Sequence, residues 1–354
     1  GIVANQTSEI TFLQRAVVDE STMGSKKVTQ HLVDYLKDYM SVNVKTVFAP
    51  EHGFRGQADA GEVVKDGIDT KTGLPIISLY GSNKKPTADQ LKDIDVIVFD
   101  IQDVGVRFYT YISTLHYVME ACAENNVPLL ILDRPNPNGS YVDGPILELS
   151  QKSFVGMHPV PIVHGMTIGE YAQMINGENW LANKVECELM VIKMKNYDHE
   201  KNYSLPIKPS PNLPNDQAIN LYPSLCFFEG TNVNAGRGTH KQFQVFGSPF
   251  LNAKEFSYTY TPISMDGAKS PKHLGKKCFG EDLSESTYLN KINLKWLIRA
   301  YNNTENKAGF FNSFFTKLAG TEKLQKQIEN GLSEEEIRST WKNGLKQFKI
   351  KREQ

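Results

Sequence analysis

The sequence predicts a two-part α/β fold: a mostly parallel sheet with helices on both faces over residues 1–165, then a smaller α+β unit over residues 166–354. Short apolar runs alternate with helix-period segments through the first part, as in strands joined by crossover helices. Around residue 165 that alternation breaks down, and the last third ends in closely spaced helices. A chain of 354 residues with 40% hydrophobic content can also fill two cores.

Strands are expected at residues 2–5, 44–48, 76–79, 96–100 and 129–133. The first reads as a strand already under way, so an upstream segment, which could include a signal peptide, is expected to precede it. Segments 28–40 and 111–124 place apolar residues at i, i+3 and i+4, the pattern of helices laying one face on a sheet. Thr167 and Glu170 have capping-box spacing and open a helix towards Asn176, with a strand at 189–194 beyond it. Pro206, Pro209, Pro211 and Pro214 rule out regular helix or inner strand there, leaving a rigid connection or cleft wall. Helices are expected at 294–301, 322–330 and 334–348, the last opened by a Ser333/Glu336 capping box.

Lys plus Arg total 39 against 40 for Asp plus Glu, so no net field favours nucleic acid or an anionic membrane surface. No apolar run reaches the roughly 18 residues of a membrane span. The 4 cysteines are far apart, with neither CxxC nor zinc-like spacing, and read as structural thiols.

Ligands of open α/β sheets bind beyond the carboxyl ends of the strands. After 44–48 come Glu51, His52 and Arg55, with Glu51 nearest the strand end, the place for a proton donor. After 96–99 come Asp100, Asp103, Arg107, Tyr109 and Tyr111, able to hold sugar hydroxyls while the rings cover an apolar sugar face. Helix capping by an aspartate paired with Arg107 explains the same residues structurally. After 129–133, Arg134 and Asn136 lie in a stiff Pro-rich turn, and an Asp133–Arg134 surface pair is the plainer reading. His158 and His164 sit near the proposed domain junction. With His52, Asp100 and Asp103 they lack any HxH or HExxH spacing, so no metal is expected. Glu229, Asn232 and Arg237 fall in a run of small and amide residues suited to close backbone approach to a ligand. GxGxxG occurs nowhere, which counts against a dinucleotide-dependent oxidoreductase, and no cofactor is expected.

Five ordered blocks now carry a resemblance over nearly the whole chain: Pro50-Glu51-His52-Gly53-Phe54-Arg55-Gly56; the run from Phe99 to Tyr111; Leu132-Asp133-Arg134-Pro135-Asn136-Pro137; His164-Gly165-Met166-Thr167-Ile168-Gly169-Glu170; and Glu229-Gly230-Thr231-Asn232 with Gly236-Arg237-Gly238-Thr239. Together they resemble the exo-β-N-acetylmuramidases. The resemblance implies a Rossmann-like catalytic domain, a smaller C-terminal domain and a cleft between them. It implies release of N-acetylmuramic acid from the non-reducing end of peptidoglycan fragments, with muramyl-glucosamine saccharides as partners in cell-wall turnover, and Glu51 as the catalytic glutamate. Relatives are commonly exported, which implies a periplasmic or extracellular location. The chain departs from the family in starting inside its first strand and in ending at Gln354, short of the usual aromatic end.

Glycoside hydrolysis needs an acid and a group supporting an oxocarbenium-like centre, either a second carboxylate or the substrate's own 2-acetamido group. Glu51 is the expected acid. Asp103 and Glu229 rank ahead of Asp100 and Glu170 as the second carboxylate. The lactyl carboxylate of muramic acid calls for a cation, with Arg107, Arg134, Arg55 and Arg237 in falling order of preference. A non-catalytic cell-wall sugar-binding protein is the alternative, since the same groups could hold a sugar without cutting it.

Overall fold

The computed structural model describes residues 1–19, 22–39, 42–56, 62 and 65–354. From β1 (Ile2–Ala4) the chain passes through β2 (Glu9–Asp19) and β3 (Thr22–His31) into α1 (Leu32–Tyr39). There follow β4 (Val47–Ala49), β5 (Gly67–Ile68), β6 (Pro75–Ser78), α2 (Ala88–Leu91), β7 (Ile97–Asp100), α3 (Tyr111–Glu124), β8 (Leu129–Leu132), α4 (Ile168–Gly177) and β9 (Leu189–Ile192). Among the described residues, a sheet of 7 strands runs in the order β5-β6-β4-β1-β7-β8-β9, parallel throughout except where β5 meets β6.

Successive strand residues face opposite sides, and that alternation divides the core. Ile2, Ala4, Val47 and Ala49 pack with Leu32 and Val33 of α1 on one face. On the other, Val3, Phe48, Ile97 and Phe99 pack with Ile112, Leu115, Val118 and Met119 of α3 and Ile168 and Ile175 of α4. The helices therefore cover both faces, as the periodicity predicts. The expected strands all appear in this sheet, and the 111–124 helix has its predicted bounds. The Thr167/Glu170 capping box forms in both directions.

Three expectations need correction. Residues 28–31 are not helix: they finish β3, which pairs antiparallel with β2 in a long hairpin, and the helix starts only at Leu32; Met40 lies outside the described residues. Val28, Leu32 and Leu36 have helical spacing, but the ladder with β2 satisfies the backbone of 22–31, and a partner strand is invisible to periodicity. The break at residue 165 falls too early, because β9 at 189–192 adds in parallel to β8 and α4 packs on the same sheet. The helix expected at 334–348 is two, α9 (Glu334–Ser339) and α10 (Lys342–Arg352) in the numbering below, separated at Thr340–Trp341.

The C-terminal unit comprises α5 (Asp216–Leu225), β10 (Val245–Ser248), β11 (Tyr258–Tyr260), β12 (Cys278–Asp282), α6 (Lys295–Asn302), α7 (Phe315–Ala319), α8 (Lys323–Glu329), α9 and α10. Its strands form an antiparallel sheet with β12 in the middle. Phe108 packs edge-on against Phe227 and Tyr222, joining this unit to the first. Among the described residues, no helix is long and apolar enough to cross a membrane.

Candidate active site

A cavity of about 1100 Å³ opens beyond the carboxyl ends of β4, β6 and β7, between the sheet and the C-terminal unit. From the sheet side come Glu51 and His52 after β4, Tyr80 after β6, and Tyr109, Thr110 and Tyr111 at the start of α3. Tyr222, Glu229, Arg237 and Phe243 line the other side, with Ser210, Asn212 and Leu213 of the proline-rich segment forming the expected cleft wall.

Glu51 is half-buried and its Oε2 accepts a hydrogen bond from Thr110 Oγ1 at 2.7 Å. Tyr80 is also hydrogen-bonded to Glu51: burial raises the phenol's pKa first, and the carboxylate beside it raises it further. His52 is buried with φ of 71°, a left-handed backbone that non-glycine residues seldom adopt. Tyr109 and Tyr111 meet edge to face at 4.9 Å, and Tyr222 stands 6.0 Å from Tyr109, giving an aromatic floor.

Across the cavity, Arg237 Nε donates to Glu229 Oε1 at 3.0 Å, and the guanidinium lies 5.1 Å from the Phe243 ring centre. Burial opposes ionisation of Glu229, but Arg237 and Lys272 outweigh it and hold the carboxyl below the usual range. Lys272 is itself fixed by the carbonyls of Phe228, Thr231 and Val233.

The cavity thus gathers Glu51, His52, Tyr109, Tyr111, Glu229 and Arg237 from the residues singled out in the sequence. The others lie elsewhere, each for a visible reason. Arg107, the first choice for binding a substrate carboxylate, is fully buried: Nη1 donates to Pro145 O and Val160 O, and Nη2 to Leu318 O and Ala319 O. It clasps the two units together. Arg134 grips Asp100 with Nε and Nη2 at 2.6 and 3.0 Å, so both are consumed in one bidentate pair. Arg55 forks onto Asp69 and reaches Asp34.

Asp103 is buried outside the cavity lining, with Oδ2 accepting from Gly105 N; burial pushes its pKa up to about 7. Asn136 braces its own turn by accepting from Asn138 N and ties it to a distant segment by donating to Met166 O. His164 is fully buried, its Nδ1 accepting from Met166 N. Asn232 offers its carbonyl to Ser248 and His273, and it is Asn234 that reaches the cavity. Glu170 belongs to the helix cap and to His199. His158, weighed with His52, His164, Asp100 and Asp103 for a metal, is bonded to His116 and Tyr171.

Tyr80 went unnoticed in the sequence although it immediately follows the strand expected at 76–79, where the strand-end rule would have found it. Thr110 lies inside a quoted block but carries no obvious chemistry. Tyr222 and Phe243 arrive from the second unit, and nothing local in sequence marks them.

Two family models cover the chain: the N-terminal part of the exo-beta-N-acetylmuramidase NamZ matches residues 2–217, and its C-terminal part residues 220–354. The chain is 40% identical over 337 residues to the peptidoglycan beta-N-acetylmuramidase NamZ of Bacillus subtilis strain 168, covering 89% of this chain and 80% of that protein. Among solved structures, a DUF1343 family protein of Bacteroides fragilis NCTC 9343 superposes with a TM-score of 0.85 at 46% identity, over 99% of this chain and 91% of that one. A second from the same organism gives 0.77 at 27% identity, over 99% and 92%.

Proposed function

This chain belongs to the exo-beta-N-acetylmuramidase NamZ family and is a glycoside hydrolase; from that premise we propose that it releases N-acetylmuramic acid from the non-reducing end of peptidoglycan fragments, with Glu51 as the general acid. One observation carries the assignment. Glu51 stands just past the end of β4, on the cavity wall, with its carboxylate held by Thr110 and Tyr80. Hydrogen bonds that fix a rotamer hold a proton donor towards the bridging oxygen.

Glu229 complements it. A carboxylate kept ionised by Arg237 and Lys272 is a poor proton donor but a permanent negative charge in the wall of the cavity. Such a charge stabilises an oxocarbenium-like centre. Glu51 would then protonate the leaving oxygen and later take a proton from the attacking water. Muramyl disaccharides are the substrates on this reading, and the protein works in the periplasm or outside the cell.

The test is Glu51→Gln on an aryl β-N-acetylmuraminide, with mass spectrometry of the products from a muramyl disaccharide. A loss of about 10²–10⁴ in kcat is expected for a general acid. Turnover within tenfold of wild type would end the assignment.

A further inference from the structure

Among the described residues four cationic side chains line the cavity, and three are already occupied. Arg237 is engaged by Glu229, Lys272 by three backbone carbonyls, and Lys269 by Glu62 at 2.9 Å. Lys84 differs. Its Nζ lies over the Phe154 ring, 4.9 Å from the centroid, and no carboxylate among the described residues pairs with it. Its neighbour Lys85 is bound to both Glu120 and Glu124 at 2.7 Å, so the local sequence alone does not separate the two.

The position of Lys84 is built. Asn83 Nδ2 donates to Ser78 O at 3.0 Å, tying the loop to the end of β6, and the Thr87 capping box anchors the far side. Phe154 is held in turn: Ser113 Oγ donates to its carbonyl, and Tyr117 stacks on its ring at 6.3 Å. Tyr80, whose hydroxyl meets Glu51, lies 6.0 Å from the same ring. Glu51, Tyr80, Phe154 and Lys84 thus make one contiguous strip of the cavity wall.

We propose that Lys84 is a specificity-determining residue that binds the lactyl carboxylate of the terminal muramic acid. This rests on the muramidase reading and extends it. An ammonium with one side on a ring face keeps N–H donors for an anion. Arg237 is less suited, because its Nε–H is already committed to holding Glu229 in place.

The experiment compares kcat/KM of wild type, Lys84→Met and Lys84→Arg on an aryl β-N-acetylmuraminide and on its lactyl methyl ester, which lacks that charge and adds one methyl group. Lys84→Met is expected to lose roughly ten- to a hundredfold on the free acid, the range of a charged hydrogen bond, while ester turnover stays within about threefold. Lys84→Arg should keep most of the preference for the acid. Equal losses on acid and ester, or no loss on the acid, overturn the assignment of Lys84 while leaving the muramidase reading intact. A wild type that cleaves neither compound overturns both.

Discussion

The hydroxyl of Thr110 lies 2.7 Å from Oε2 of Glu51 and spans 59 residues of sequence to reach it. One partner opens the loop after β4 and the other immediately precedes α3, so segments following the two strands that flank β1 set the orientation of the carboxylate. Thr110→Val, which keeps the shape and removes the donor, is expected to lower kcat about tenfold or more with little change in KM, since a hydrogen bond to a charged group contributes roughly 1.5–3 kcal/mol. Steady-state kinetics on an aryl N-acetylmuraminide check it. A change confined to KM would point to substrate contact instead.

Arg107 and Arg134 should behave as structural residues. Arg107→Ala strands four carbonyls in the core and is expected to cost at least about 3 kcal/mol. Arg134→Ala leaves the buried Asp100 carboxylate without its bidentate partner and should also destabilise. Urea unfolding measures both losses. Whatever activity remains in either variant should show the wild-type ratio of muraminide to glucosaminide turnover.

Acid should weaken the fold through its buried histidines, with Asp103, whose pKa burial raises to about 7, opposing the trend over the same range. Burial lowers the pKa of His116 to about 4 and of His164 to about 3, and holds His158 well below the ordinary histidine value. Each is neutral in the folded chain but binds a proton near pH 6.5 when unfolded. Stability from these groups is therefore present above about pH 6.5 and declines as pH falls towards the folded values, by up to about 1.4 kcal/mol per pH unit for each histidine. Unfolding curves between pH 7 and pH 4 should show this slope. His164→Gln should be less stable at pH 7 yet less sensitive to acid.

Gly105 has φ of 74°, and a Cβ placed there would sit 2.2 Å from the Asn136 side chain. Both the backbone and the space exclude alanine, so Gly105→Ala is expected to lower stability by about 2 kcal/mol or more. Thermal melting detects it. The cost should be relieved in part by Asn136→Gly, which removes the collision but not the left-handed backbone.

The legibility of the site followed the legibility of the sheet. Glu51, His52, Tyr109 and Tyr111 follow strands whose apolar runs are unmistakable, and the rule that ligands gather at strand ends singles out residues that line the cavity. The same rule admitted Arg107 and Arg134, because it marks position along the chain and says nothing of direction. Whether a guanidinium turns into a cavity or into the core depends on which carbonyls and carboxylates wait there. For Arg107 two of those carbonyls come from residues 318 and 319, more than two hundred positions away.

Local periodicity, capping boxes and the spacing of apolar runs by themselves located the strands of the main sheet, the 111–124 helix and the loop that carries Glu51, since the signal for each lies in residues within a few positions of one another. Only the folded chain decided that β2 and β3 pair as a hairpin, that Arg237 rather than Arg107 faces the cavity, and that Lys84 stands beside the ring of Phe154. Those outcomes depend on partners brought together by packing across the whole molecule, and one-dimensional pattern carries no measure of that distance.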